Sequence, residues 1–139
     1  MNRFVNILML AAITVACAPK NNQKQTSTKM PMPGSDRDEH GCIGSAGYTW
    51  SVTKKKCVRV WEDLDLKLLP TDTKDATFSA VIFSGQKDTA EVFVPSLRQS
   101  LLLKASDKDT WSGGNGWKLS KTANGAQLLK DNAIIYKSE

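Results

Sequence analysis

This chain carries a single histidine, His40, so any chemistry that needs an imidazole must use that residue. It follows the charged run Asp36-Arg37-Asp38-Glu39. A serine relay would require a Gly-x-Ser-x-Gly elbow to expose its nucleophile, and no such pentapeptide occurs. One histidine and two further cysteines in the body of the chain do not make the usual zinc ligand set. The acids beside His40 could touch a cation, but a solvated charge cluster is the more economical reading. Glycoside hydrolysis needs two carboxylates flanking one bond, and no spacing here pairs them. Gly113-Gly114-Asn115-Gly116 neither follows a strand into a helix nor carries a phosphate-loop lysine, so it reads as a turn. No catalytic residue, metal ligand or cofactor is therefore expected, and the chain reads as a binding protein and not an enzyme. Trp50, Trp61, Trp111 and Trp117 offer flat faces that would stack on sugars, although aromatic residues at strand positions more commonly pack a core.

The cysteines define the compartment. An apolar run from Ile7 to Ala16 follows Met1-Asn2-Arg3. As a helix it would be roughly 15 Å long, about half a hydrocarbon core, which suits a signal peptide better than a membrane span. Thr14-Val15-Ala16-Cys17 resembles a lipobox, in which Cys17 becomes the lipidated N-terminus. Cleavage after Ala18 is the competing reading, since Ala16-Cys17-Ala18 fits the A-x-A pattern, but Pro19 at the new terminus disfavours it. The chain has 3 cysteines, an odd number. Lipidation of Cys17 leaves Cys42 and Cys57 to pair in an oxidising compartment. A loop of that size contributes roughly 3 kcal/mol in the chain-entropy model. The spacing does not fit C-x-x-C redox chemistry. The expectation is an envelope lipoprotein, held at the outer membrane through its lipid.

Residues 17–35 hold the lipidated cysteine and a tether. From residue 18 to residue 35 there is no aromatic residue and no Val, Leu or Ile, too little apolar surface to offset the entropy of ordering. As a coil its ends would lie about 25 Å apart. Much of the net charge of +5 sits on the leader and this tether. From Asp36 onward there are 15 basic and 14 acidic residues, and no basic stripe interleaved with aromatics, so nucleic acid is not an expected partner.

Residues 36–139 suffice for one small domain. Tyr48, Trp50 and Val52 alternate with polar residues, as do Leu64, Leu66 and Leu68. Short runs at 78–83, 90–94, 101–104, 117–119, 126–129 and 133–136 continue the strand pattern. Ser84-Gly85, Asn124-Gly125 and Asp131-Asn132 separate them with residues that enter tight hairpins cheaply. The expected fold is all-β: a small antiparallel meander or barrel of about eight strands over residues 64–139, preceded by a disulfide-closed hairpin at 41–62.

Thr77 to Lys137 is similar to the MliC family, the membrane-bound inhibitors of C-type lysozyme. The resemblance is carried by Phe78-Ser79-Ala80-Val81-Ile82-Phe83, Ala90-Glu91-Val92-Phe93-Val94-Pro95, and the Leu-rich strand and serine-bearing loop after them. Trp111-Ser112-Gly113-Gly114, Trp117 to Lys121 and Gly125-Ala126-Gln127-Leu128 complete it. It implies an eight-stranded antiparallel barrel that presents a loop to the lysozyme cleft. There Ser106 and Lys121 would bond to the catalytic carboxylates, and charge-assisted bonds of that kind are strong. Asp107 stands where the family pattern has glycine, and no cysteine follows Cys57 to close the barrel ends.

Two readings of function follow. A lysozyme inhibitor requires Ala105 to Trp111 to protrude with Lys121 alongside. An envelope adhesion or scaffolding module, binding a protein or glycan, requires an exposed aromatic patch from the disulfide hairpin and the glycine loop. The anchor itself is checked by labelling cells with a clickable palmitate analogue. The wild-type chain should take up the label and Cys17→Ser should lose it, whereas an unlabelled chain cut after Ala18 would replace the anchor with ordinary export.

Overall fold

The computed structural model describes residues 36–139 apart from Thr73, Asp75 and Ala76. The leader, Cys17 and the tether lie outside the described residues. Ten strands appear: β1 (Thr49–Ser51), β2 (Lys56–Val58), β3 (Leu66–Pro70), β4 (Ser79–Phe83), β5 (Thr89–Phe93), β6 (Leu101–Asp107), β7 (Thr110–Ser112), β8 (Trp117–Thr122), β9 (Gly125–Lys130) and β10 (Ala133–Lys137). The first two form a hairpin of their own, and the other eight form a closed barrel in the order β10-β3-β4-β5-β6-β7-β8-β9. The expected all-β architecture is thus the observed one. Each neighbouring pair is antiparallel, and Tyr136 opposite Pro70 and Lys137 opposite Leu69 close the ring. Closure removes the free edges that an open sheet would expose.

Alternation fills the barrel. Val81 and Phe83, Ala90 and Val92, Leu103, Trp111, Leu119, Ala126, Leu128 and Tyr136 are buried in one cluster. In a barrel of this size side chains occupy the interior, leaving no ligand channel. Turn chemistry follows the sequence between β9 and β10, where Asp131 and Asn132 take φ of 50° and 66°. Two consecutive residues at positive φ match the right-handed twist of the flanking strands.

The expected loop at 105–111 is instead a tight hairpin. Strand β6 runs on to Asp107, and β7 returns from Thr110. The reason is Trp111, which is 5% exposed and must lie on an inward strand position to enter the core. The extra residue is taken up by a bulge: Ala105 pairs with Trp111 and Asp107 with Thr110, leaving Ser106 unopposed.

Residues 36–62 form a cap on the barrel wall. Cys42 and Cys57 are joined by a disulfide, as expected, and Cys42 and Val58 are buried. The cap docks through Glu91. Ala90 and Val92 on β5 point into the barrel, so Glu91 points outward, yet it is fully buried. Its carboxylate accepts bonds from Ser51 Oγ at 2.6 Å, Val52 N at 3.1 Å, Thr53 N at 3.0 Å and Ser100 Oγ at 2.7 Å. Three of those donors belong to the cap. The same cover explains β4, whose five residues are all buried although only alternate ones face the core.

Glu91→Gln tests this linkage. Two donors meet each carboxylate oxygen, so whichever oxygen becomes an amide nitrogen leaves a backbone N–H of Val52 or Thr53 facing another donor. An unsatisfied buried donor of this kind should lower stability by about 2–3 kcal/mol, read as a fall in the denaturant midpoint at unchanged slope. An unchanged midpoint would remove Glu91 as the docking contact.

Candidate functional site

Two surfaces bring together residues singled out by sequence. The first is the barrel end that carries the β4–β5, β6–β7 and β8–β9 turns. Phe83 and Trp111 plug it, with ring centroids 4.8 Å apart, and Trp111 Nε1 donates to the Lys87 carbonyl at 2.7 Å. Lys121, on β8, donates its backbone N–H to the Asp109 carbonyl at 2.8 Å, which sets it against the tip of the β6–β7 hairpin. Its ammonium lies 5.9 Å from the centre of the Phe83 ring and makes no ion pair among the described residues. Ser106, the bulge residue, is exposed. Its hydroxyl lies 3.0 Å from Ser112 Oγ and 3.5 Å from the Thr110 carbonyl. Ser106 thus lies in the bulge of the β6–β7 hairpin and the Lys121 backbone lies beside the tip of that hairpin.

The acids of this end are turned to local work. Asp107 accepts the N–H of Lys108 at 2.7 Å. The Ser84 hydroxyl bonds to Asp88 and holds its carboxyl below the usual carboxylate range. Lys87 and Lys108 sit on the turns beside Asp88, Asp107 and Asp109, so the corner carries no strong net field.

The second surface is a groove of about 790 Å³ between the cap and the barrel wall. Of the six exposed large apolar side chains among the described residues, four line it: Val52, Trp61, Leu97 and Leu102. Trp50 and Phe78 extend the aromatic lining. His40 stacks on Trp50 at 4.3 Å with an interplanar angle of 14°, and its Nε2 lies 3.6 Å from Glu39. Its neighbours make it a stacking partner of Trp50. The acids beside it lock turns: Asp38 accepts the N–H groups of His40 and Cys42, and the Ser45 hydroxyl bond holds Asp36 below the usual carboxylate range.

The aromatic patch expected from the hairpin and the glycine loop is thus half assembled. The hairpin contributes Trp50, and Trp61 follows it, whereas Trp111 is committed to the core and the glycine loop is absent from the groove lining. Sequence reading did not bring in Glu91, Leu97, Gln99 or Leu102. The one available signal was a lone acid inside Ala90-Glu91-Val92, a charge at a position flanked by core residues. No family model, curated protein or solved structure matches this chain.

Trp61 is held where it stands by Gly47. That glycine has φ of 79°, and a Cβ there would overlap the outer rim of the indole's six-membered ring. Gly47→Ala should cost about 1–2 kcal/mol from backbone strain alone and push the indole aside. The expected readouts are a lower unfolding midpoint and a changed tryptophan emission maximum that Trp61→Phe removes. Wild-type values for both would show that Gly47 does not seat the ring.

Proposed function

We propose that this chain is an envelope-tethered inhibitor of C-type lysozyme, anchored through Cys17 and acting by inserting the β6–β7 corner into the enzyme cleft. The observation that carries the reading is the bond from the Lys121 amide to the Asp109 carbonyl. It sets Lys121 beside the tip of the β6–β7 hairpin, and the bulge of that same hairpin carries Ser106. An unpaired ammonium and a hydroxyl re-aimed by a bulge are suitable donors to a pair of carboxylates, and such bonds are roughly twice as strong as neutral ones. The rigid hairpin lowers the entropy that insertion would otherwise cost. Because the corner has balanced charge, recognition would rest on fit and hydrogen bonding more than on long-range steering. The core is filled by side chains, and Asp88 and Asp107 are engaged in local hydrogen bonds, which supports a plug.

The second reading is an envelope adhesion or scaffolding module. It is favoured by the groove under the cap, where four of the six exposed large apolar side chains among the described residues gather.

The test uses the detergent-solubilised full chain, oxidised, with C-type lysozyme on a peptidoglycan substrate. Dose-dependent inhibition is expected, weakened about tenfold or more by Ser106→Ala or by Lys121→Ala. Inhibition indifferent to both substitutions would move the site elsewhere. Absence of inhibition at high molar excess would end the reading for this enzyme class.

A further inference from the structure

The groove under the cap has features that an incidental crease would lack. Trp61 is 52% exposed, and the side chain is large enough that leaving it so forgoes substantial apolar burial. Yet the indole is seated: its outer rim abuts Gly47, which has positive φ and no Cβ. Trp50, which lines the same groove, is stacked on His40. The polar lining is equally informative. Arg98 and Gln99 face the groove from the β5–β6 connection, and neither side chain has a hydrogen bond or ion pair among the described residues. The groove therefore combines flat aromatic surface with exposed planar polar groups that no described side chain or backbone group engages.

From this geometry we propose that the groove binds a neutral, extended oligosaccharide of β-1,4-linked pyranose rings. One ring would stack its C–H face on Trp61, with hydroxyls of the neighbouring rings bonded to Gln99 and Arg98. Such a glycan is a flat ribbon with an apolar face and a polar rim, and the lining presents the complement of both. A hydrocarbon chain fits less well, because it would strip water from Arg98, Gln99 and Asp38 without replacing their hydrogen bonds. A peptide adding as a strand lacks an edge on the closed barrel, and beside β1 the Val52 and Thr53 N–H groups are already given to Glu91. The volume of about 790 Å³ lies within the range of small-molecule sites. The cap is part of the groove wall, so Glu91 and the Cys42–Cys57 bond position the site without touching the ligand.

This inference rests on the second reading and is independent of the lysozyme corner. The full chain in a sugar-free detergent is titrated with chitotetraose and with cellotetraose while tryptophan emission and indole N–H resonances are followed. Saturable binding of at least one is expected, weakened about tenfold by Trp61→Ala, less by Trp61→Phe, and unchanged by Ser106→Ala. Each variant is first shown to keep the disulfide and the wild-type unfolding midpoint; a variant that does not is replaced by Gln99→Ala. Absence of saturable binding to both sugars, or binding indifferent to Trp61 and Gln99, overturns the proposal. In that case an extended decapeptide containing Leu and Phe is titrated in the same way. Trp61-dependent peptide binding would keep the module reading and discard the saccharide, and no binding would discard both.

Discussion

The carboxylate of Glu91 is the point on which the two parts of this molecule depend. A charge removed from water is costly unless donors replace its hydration, and here four donors do so, three of them from the cap. The dependence is mutual. Without the cap, β5 would expose its outer face and the cap's N–H groups would lose their acceptor. Without the barrel, the cap is a short segment with a disulfide and little core of its own, below the size at which a chain folds by burial alone. A buried acid of this kind contributes specificity of docking: it accepts one register of the Ser51–Thr53 turn, and a shifted cap would leave the charge unsatisfied.

The groove is a consequence of that docking. The cap covers the outer face of β4 and the middle of β5 but stops short of Leu97 and Leu102. Trp61 and Val52 of the cap line the same groove as Leu97 and Leu102. The lining comes from segments far apart in sequence, and the Glu91 contacts help set their separation.

Side chains fill the barrel interior, and Phe83 and Trp111 pack together at the end that carries the β6–β7 hairpin. Burial of Trp111 also shapes that corner. It draws 105–107 into strand pairing, shortens the connection to a two-residue turn, and forces Ser106 out as a bulge. One aromatic side chain thus converts what would be a polar loop into a rigid hairpin, and the backbone of Lys121 on the next strand completes the arrangement.

The amino-acid sequence by itself determined the class of fold and its covalent staple. Period-two alternation, the Asp131-Asn132 turn and the parity of the cysteines each depend on local chemistry, and local chemistry is written in order along the chain. It also marked β4 by an apolar run, Ala80 to Phe83, though not what would cover its second face. The tertiary structure alone decided the rest. Whether Trp111 faces inward depends on closure of the ring, and the Ser106 bulge depends on the register that closure imposes. Whether Glu91 is a surface charge or a buried anchor depends on where the cap lands, forty residues away in the case of Ser51. The groove depends on that docking, because a site built from the uncovered margin between two docked parts has no contiguous signature in the sequence of either.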